Sequence, residues 1–257
     1  MKRLAINELA VFALAVQFLT RVPVPVGEAY TPARLAAAPR YYPLVGALVG
    51  ALCAVVYSLA VAALTPAVAV LLALAAGLLV TGAFHEDGLA DTFDGLGGSD
   101  RERALEVMRD SRIGTYGTLA LGVVLATKAA TLLALPPGRA AMAFVVAHGL
   151  SRLSAVLVIA SSRYVRDHGA GKPTADGIGA GGLAIALLTG GLLLAWLAFT
   201  GGATAALYTV MGALAGHLFM RALFERRLGG YTGDTLGAVQ QLSELGVYLG
   251  LLLWQLS

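Results

Sequence analysis

Charge is scarce in this chain. Only 13% of its 257 residues are Asp, Glu, Lys or Arg, about half the share typical of soluble domains. Residues 44–83 carry no charge at all. With 58% hydrophobic residues and a mean hydropathy of +0.78, these deficits exclude a soluble globular domain and predict an integral membrane protein. Cysteine is nearly absent. The single Cys53 lies in an apolar run, which excludes a disulfide within the chain and a cysteine-based metal cluster. The net charge of +3 is too small to suggest nucleic-acid binding. The sequence has no phosphate-binding P-loop, no dinucleotide fingerprint after a strand and no Cys/His spacing suited to zinc. There is also no linker, low-complexity tail or internal repeat, so residues 1–257 read as one integral-membrane catalytic domain. Met1-Lys2-Arg3 and the apolar stretch behind it look like a signal peptide. Glu8, Gln17 and the lack of a small-residue cleavage site before Arg21 argue against one.

What is present is a series of apolar runs of about twenty residues, each long enough to cross a bilayer as a helix. They cover residues 44–64, 66–84, 118–135, 140–160, 183–200, 203–223 and 236–256, with breaks at Thr65-Pro66, Pro136-Pro137-Gly138 and Gly201-Gly202. Residues 4–20 either form an eighth span or lie in the interface as an amphipathic helix. The predicted fold is all-α, a polytopic transmembrane bundle of seven or eight helices. Abundant glycine, 32 residues, suits close helix packing in lipid. Three tight hairpins place the connectors 21–42, 85–113, 161–180 and 221–234 on one side, and these hold thirteen of the 18 Lys and Arg. The positive-inside rule makes that side cytoplasmic. Polar residues gathered at one face suit an enzyme working at the membrane surface. A transporter would scatter them through the midplane.

The densest polar stretch is His85-Glu86-Asp87-Gly88-Leu89-Ala90-Asp91-Thr92-Phe93-Asp94, directly behind the uncharged run. A helix advances about 100° per residue, so Asp91 and Asp94 lie about 40° and −20° from Asp87, on one narrow face. Glu86 is about 100° away and His85 roughly opposite. Three carboxylates so placed repel one another unless a cation lies between them, and Mg²⁺ is commonly held by a few carboxylates plus substrate phosphates. Gly95, Gly97 and Gly98 would end the helix, leaving the acids near a C-terminus that also favours a cation. The plainer reading is a solvated acidic cap on a span.

Two basic clusters follow. Met108-Arg109-Asp110-Ser111-Arg112-Ile113-Gly114-Thr115-Tyr116-Gly117 sets two arginines at the start of a span. They serve either as phosphate ligands or as positive-inside anchors. The second holds Arg221, Arg226 and Arg227 ahead of Gly229-Gly230-Tyr231-Thr232-Gly233-Asp234, a turn able to present backbone N–H groups to a phosphate. Asp234 would cap the last helix or complete a metal site. Lys128 and Arg152 fall inside spans and must snorkel, pair or line a polar cavity, Arg152 being the stronger cavity candidate. His148 and His217 read as buried hydrogen-bonding groups, and Arg163, Arg166 and Lys172 as solvated.

Acids for a divalent ion, arginines for phosphates and a glycine-rich turn point to phosphoryl or phosphodiester transfer. At these residues the sequence resembles the cobalamin (5′-phosphate) synthase, or adenosylcobinamide-GDP ribazoletransferase, family. His85-Glu86-Asp87-Gly88-Leu89-Ala90-Asp91-Thr92-Phe93-Asp94-Gly95 is similar to its signature. Phe18-Leu19-Thr20-Arg21-Val22-Pro23, Tyr42-Pro43-Leu44-Val45-Gly46, the 108–117 cluster and Gly230-Tyr231-Thr232-Gly233-Asp234-Thr235-Leu236-Gly237-Ala238 match further motifs in the family's order, nearly end to end. Glu86 departs from the pattern, which admits an apolar residue there; it is either a ligand or a bystander.

The resemblance implies a Mg²⁺-dependent, multi-pass enzyme of the prokaryotic inner membrane, its active site facing the cytoplasm. Its partners would be the lipid bilayer and two substrates, adenosylcobinamide-GDP and α-ribazole or its 5′-phosphate. The products would be adenosylcobalamin or its 5′-phosphate, and GMP. A homo-oligomer or association with other cobalamin-assembly enzymes stays open. The expected metal ligands are Asp87, Asp91 and Asp94, with Glu86 beside them. Asp110 or Asp234 is the expected base or further ligand. The expected substrate-binding set is His85, Arg109, Arg112, Arg152, Arg221, Arg227 and Thr232. Two other readings compete: a CDP-alcohol phosphatidyltransferase-like enzyme, whose opening Asp-x-x-Asp-Gly is met by Asp91 to Gly95 but whose next positions are not, and a cation transporter.

Overall fold

The computed structural model describes the backbone of residues 2–27, 30–166, 172, 175 and 177–257, and side chains from residue 8 onward. Its elements are helices: α1 (Lys2–Leu19), α2 (Pro32–Ala37) with a 3-10 turn behind it, α3 (Tyr42–Val61), α4 (Pro66–Thr81), α5 (Phe84–Leu96), α6 (Arg101–Val107), α7 (Thr115–Ala134), α8 (Pro137–Ser161), α9 (Ala180–Leu228) and α10 (Gly233–Leu256). Local chemistry sets several starts. Thr65 caps α4 ahead of Pro66, Pro137 opens α8, and Thr232 and Thr235 form a reciprocal capping box on α10.

Among the described residues five helices are long and apolar enough to cross a membrane, six if the bent pair α4 and α5 counts as one. The difference from seven expected spans lies in α9, whose 49 residues are continuous apart from a non-helical Gly202 (φ 86°, ψ 165°). A straight helix of that length would reach about 70 Å, twice a bilayer core. It instead doubles back. Thr200 meets Met142 near the start of α8, whereas Arg221 binds Ser161 at its end. The two arms are the two spans expected on either side of Gly201-Gly202. In α1 the described apolar stretch is Glu8–Leu19, shorter than a span. Glu8 is held by Arg40 at 2.9 Å and Tyr41 at 2.8 Å.

α8 forms the centre, most of its residues being buried among α3, α9 and α10. Outward-facing Leu79, Leu119, Phe199 and Leu218 give the bundle an apolar exterior. Gly212 of α9 and Gly246 of α10 let those two backbones touch, because a Cβ on either would collide with the carbonyl oxygen of the other. The polar connectors meet at one end, as expected. Val165 and Tyr231 share backbone bonds across two of them, Arg101 binds the Leu228 carbonyl at 2.8 Å and Arg166 the Met108 carbonyl at 3.3 Å. At the other end Arg139 stacks on Trp254, 4.1 Å from the ring centre.

Candidate active site

The acidic stretch does not extend α4. Gly82 (φ 66°) and Ala83 (φ 55°) both adopt the left-handed conformation, and α5 leaves α4 at 88°. Glu86 and Asp87 therefore lie in the first turn of a new helix. The expectation that the acids follow a span and gather near its C-terminus is corrected by this break. α5 presses directly on α10. A Cβ on Gly88 would lie 2.7 Å from the Asp234 carbonyl oxygen, and one on Gly237 would lie 2.9 Å from that of His85. Two glycines thus bring Asp234 beside the outer face of α5. Asp91 feels the negative charges of Asp87, Asp234 and Asp94, opposed by Arg166.

Asp94 shares that face but is already engaged. Its two carboxylate oxygens accept from the backbone N–H of Gly114 at 2.7 Å and of Gly117 at 2.8 Å, where the first turn of α7 has unpaired donors. Asp234 is not a cap, because Thr232 takes that place. The Asp234 carboxylate meets Arg166 at 2.6 Å instead. The contact is made by Asp234 Oδ2, which is buried against the guanidinium. Arg166, read from sequence as solvated, is thereby part of the site.

The other arginines are dispersed. Arg112 is exposed and grips Asp110 through a bidentate pair, closest at 2.6 Å. That pair and the Arg112 backbone N–H hold the Asp110 carboxyl down at about 2, which makes Asp110 a poor base. Arg109 is exposed on the same loop. An open polar depression of about 250 Å³, lined by Asp94, Arg103, Asp110, Arg112 and Gly114, lies beside α5. Arg227 binds the Gly98 carbonyl behind α5. Arg221 is occupied by Ser161 and Glu225.

The inner face of α5 enters a second polar cluster. Glu86 turns away from the aspartates and accepts from Gln241 at 2.8 Å. Behind it Lys128 binds Gln241 at 2.7 Å and Glu244 at 2.8 Å. Gln240 binds Glu244 at 2.6 Å and Ser151 at 2.9 Å. Arg152 and His148 join through a 3.1 Å contact, and His217 pairs with Ser154 at 2.8 Å. The cluster surrounds a cavity of about 20 Å³ that also touches His85, room for about one water.

Among the described residues no three His, Cys, Asp or Glu side chains converge closely enough to hold a metal ion unaided. The donor chemistry still fits a hard cation. Asp87, Asp91 and Asp234 supply only oxygen donors and repel one another. That set suits Mg²⁺ shared between two or three carboxylates and phosphate oxygens. Glu86 lies outside it, and Asp94 at its edge.

The chain is 48% identical over 256 residues to an adenosylcobinamide-GDP ribazoletransferase of Leptothrix cholodnii, covering 95% of this chain and 96% of that one. It is 44% identical over 253 residues to the protein of that name from Shewanella frigidimarina, covering 96% and 95%, and 43% over 259 residues to that of Vibrio cholerae, covering 95% and 94%. No solved structure matches. Residues 11–252 match the description of cobalamin-5-phosphate synthase, and with nearly full-length relatives on both counts the chain belongs to that family.

Proposed function

We infer that this chain is a membrane transferase of cobalamin assembly, joining adenosylcobinamide-GDP to α-ribazole or its 5′-phosphate with release of GMP. The observation that carries the reading is the close packing of α5 on α10 at Gly88 and Gly237, which sets Asp234 beside the helix that bears Asp87 and Asp91, in a chain of this family. Family membership favours it over the phosphatidyltransferase-like and transporter readings. We place the site on the cytoplasmic side of the inner membrane, because the basic connectors lie at its end.

In this reaction the ribose 3′-hydroxyl of the acceptor attacks the phosphorus nearer cobinamide. A new P–O bond forms, the P–O bond to GMP breaks, and the hydroxyl proton leaves with a base. Asp234 is the base we assign, since its backbone packs on α5 at Gly88, beside the acidic face, whereas the Asp110 carboxyl is held down at about 2 by Arg112. Asp87 and Asp91 would hold Mg²⁺, which when bound would neutralise charge on the diphosphate. Asp94 fixes the end of α5 to the start of α7. Arg109 and Arg112, exposed on the loop before α7, attract the phosphates, whereas Arg227 is held by the Gly98 carbonyl. GMP release from adenosylcobinamide-GDP by purified protein, with α-ribazole and Mg²⁺ present or omitted in turn, tests the reading. It requires release only when both are present.

A further inference from the structure

The open depression beside α5 offers more than charge for phosphates. It encloses about 250 Å³, just below the range of sites for whole small molecules, about 300–1,000 Å³. That is room for one part of a larger ligand. Two ion pairs form its sides. On the loop before α7, Arg112 engages both oxygens of Asp110, one of which also accepts from the Arg112 backbone N–H. That pair is closed. The pair on α6 is not. Glu106 accepts from Arg103 through Oε2 alone, at 2.6 Å. Among the described residues its Oε1 takes no hydrogen bond, and the Arg103 guanidinium keeps N–H groups to spare. The Arg103 and Glu106 side chains are 56% and 69% exposed, so both are open to a ligand. Side by side they present two carboxylate oxygens and a guanidinium N–H, a row of acceptor, acceptor and donor.

We propose that this depression reads the guanine of the GDP-bearing substrate, the Glu106 carboxylate accepting from guanine N1–H and its N2 amino group and Arg103 donating to O6. The assignment rests on the ribazoletransferase reading above and adds how the leaving nucleotide is recognised. The edge of guanine runs donor, donor, acceptor, which complements the pair. A guanidinium on O6 is a common guanine-selecting contact. Adenine sets a lone pair where guanine has N1–H, so it meets the carboxylate with repulsion. The base of α-ribazole has no N–H donor and leaves Glu106 unmatched. The position also suits the reaction. Asp94 borders the depression and follows Asp91 by about 5 Å along the axis of α5, a step that ribose bridges between a base and its phosphate. The nucleotide then lies along the acidic face, its base at Glu106 and its phosphates toward Asp91 and Asp87.

The test uses the full chain in lipid nanodiscs with Mg²⁺ and measures binding of GMP, IMP and AMP alongside steady-state GMP release. The base of IMP is guanine without its N2 amino group. Wild-type protein binds GMP about five- to tenfold more tightly than IMP, the difference being one charged hydrogen bond, and binds AMP more weakly than either. Glu106→Gln replaces one acceptor with a donor, so N1–H and the amino group are no longer both met. It removes the preference for GMP over IMP and raises the KM for adenosylcobinamide-GDP about tenfold, while the KM for α-ribazole stays within about twofold. Arg103→Ala weakens GMP and IMP alike and keeps their ratio, since both carry O6. Glu102→Gln, on the same helix but outside the depression, leaves all of these values unchanged. Equal binding of GMP and IMP by wild-type protein, or a GMP preference that survives Glu106→Gln, overturns the assignment. Wild-type protein that releases no GMP with both substrates present overturns the ribazoletransferase reading instead.

Discussion

Arg166 reaches out of a polar connector to meet Asp234 of the last helix at 2.6 Å, on the side where Asp234 faces Asp91. The guanidinium thus holds Asp234 and opposes the negative charge gathered around Asp91. It is carried there by the backbone bonds between Val165 and Tyr231 and between Tyr231 and Arg163. Arg166→Ala lowers kcat by about ten- to a hundredfold, because Asp234 loses the charge that orients it. Arg166→Lys restores the charge without the planar fork and recovers only part of the loss. The GMP assay measures both, and a fully active alanine variant removes Arg166 from the site.

Asp91 is central among the like charges. Asp91→Asn lowers turnover by about a hundredfold or more, through loss of a ligand for the cation that neutralises the diphosphate. The same change relieves repulsion from Asp87, Asp94 and Asp234, so the melting temperature in detergent stays equal or rises. Chelating Mg²⁺ from wild-type protein gives the same loss of turnover, and adding the ion back reverses it.

Asp94→Asn behaves differently although it lies on the same helical face. Its carboxylate accepts two backbone N–H bonds from the first turn of α7. An amide accepts through one atom only, and one of the two donors is left unpaired. Stability falls by about 1–3 kcal/mol, seen as a lower melting temperature, and activity falls with it. A melting temperature matching that of Asp91→Asn would falsify the distinct roles given to the two residues.

These contrasts mark where the sequence could be read and where it could not. Helical spacing placed Asp87, Asp91 and Asp94 on one face, and Pro and Gly punctuation placed the hairpin turn at Gly202. Spacing could not say which neighbour each carboxylate meets. Gly114 and Gly117 claim Asp94 from twenty residues or more away. The break before α5 depends on Ala83, a residue with no local preference for the left-handed conformation it adopts. Arg166 sits in a connector that looks solvated until Tyr231 pairs with it. Gln240, Gln241 and Glu244 weaken the last span by hydropathy, yet they are what receives Lys128. Polar residues at matching depth in two apolar runs were the available signal for that pairing.

Gly88 sets the distance between the two halves of the site. Gly88→Ala puts a methyl group 2.7 Å from the Asp234 carbonyl oxygen and 3.0 Å from its Cα, both backbone atoms that can move only with α10. The strain is about 1–3 kcal/mol, and α5 and α10 separate. Turnover therefore falls by more than stability alone accounts for, since Asp234 is moved away from Asp87 and Asp91. Ala substitution of Gly122, whose surroundings are open, is the matched control and leaves both activity and melting temperature near wild type.

Lys128 and Glu244 form an ion pair at 2.8 Å with side chains 2% and 3% exposed. Burying two charges is unfavourable, and their attraction offsets it only while both are present. Lys128→Met leaves the Glu244 carboxylate with Gln240 and Tyr248 as donors but without its ammonium partner. It destabilises by about 3–5 kcal/mol. Glu244→Met strands Lys128 in the same way. The double variant removes both charges and recovers most of the loss, so the coupling between the two changes is large and of opposite sign to the single effects. Unfolding in mixed detergent micelles measures all three variants. Additive losses in the double variant would mean that each residue acts through other partners, and that the pair does not hold α7 to α10.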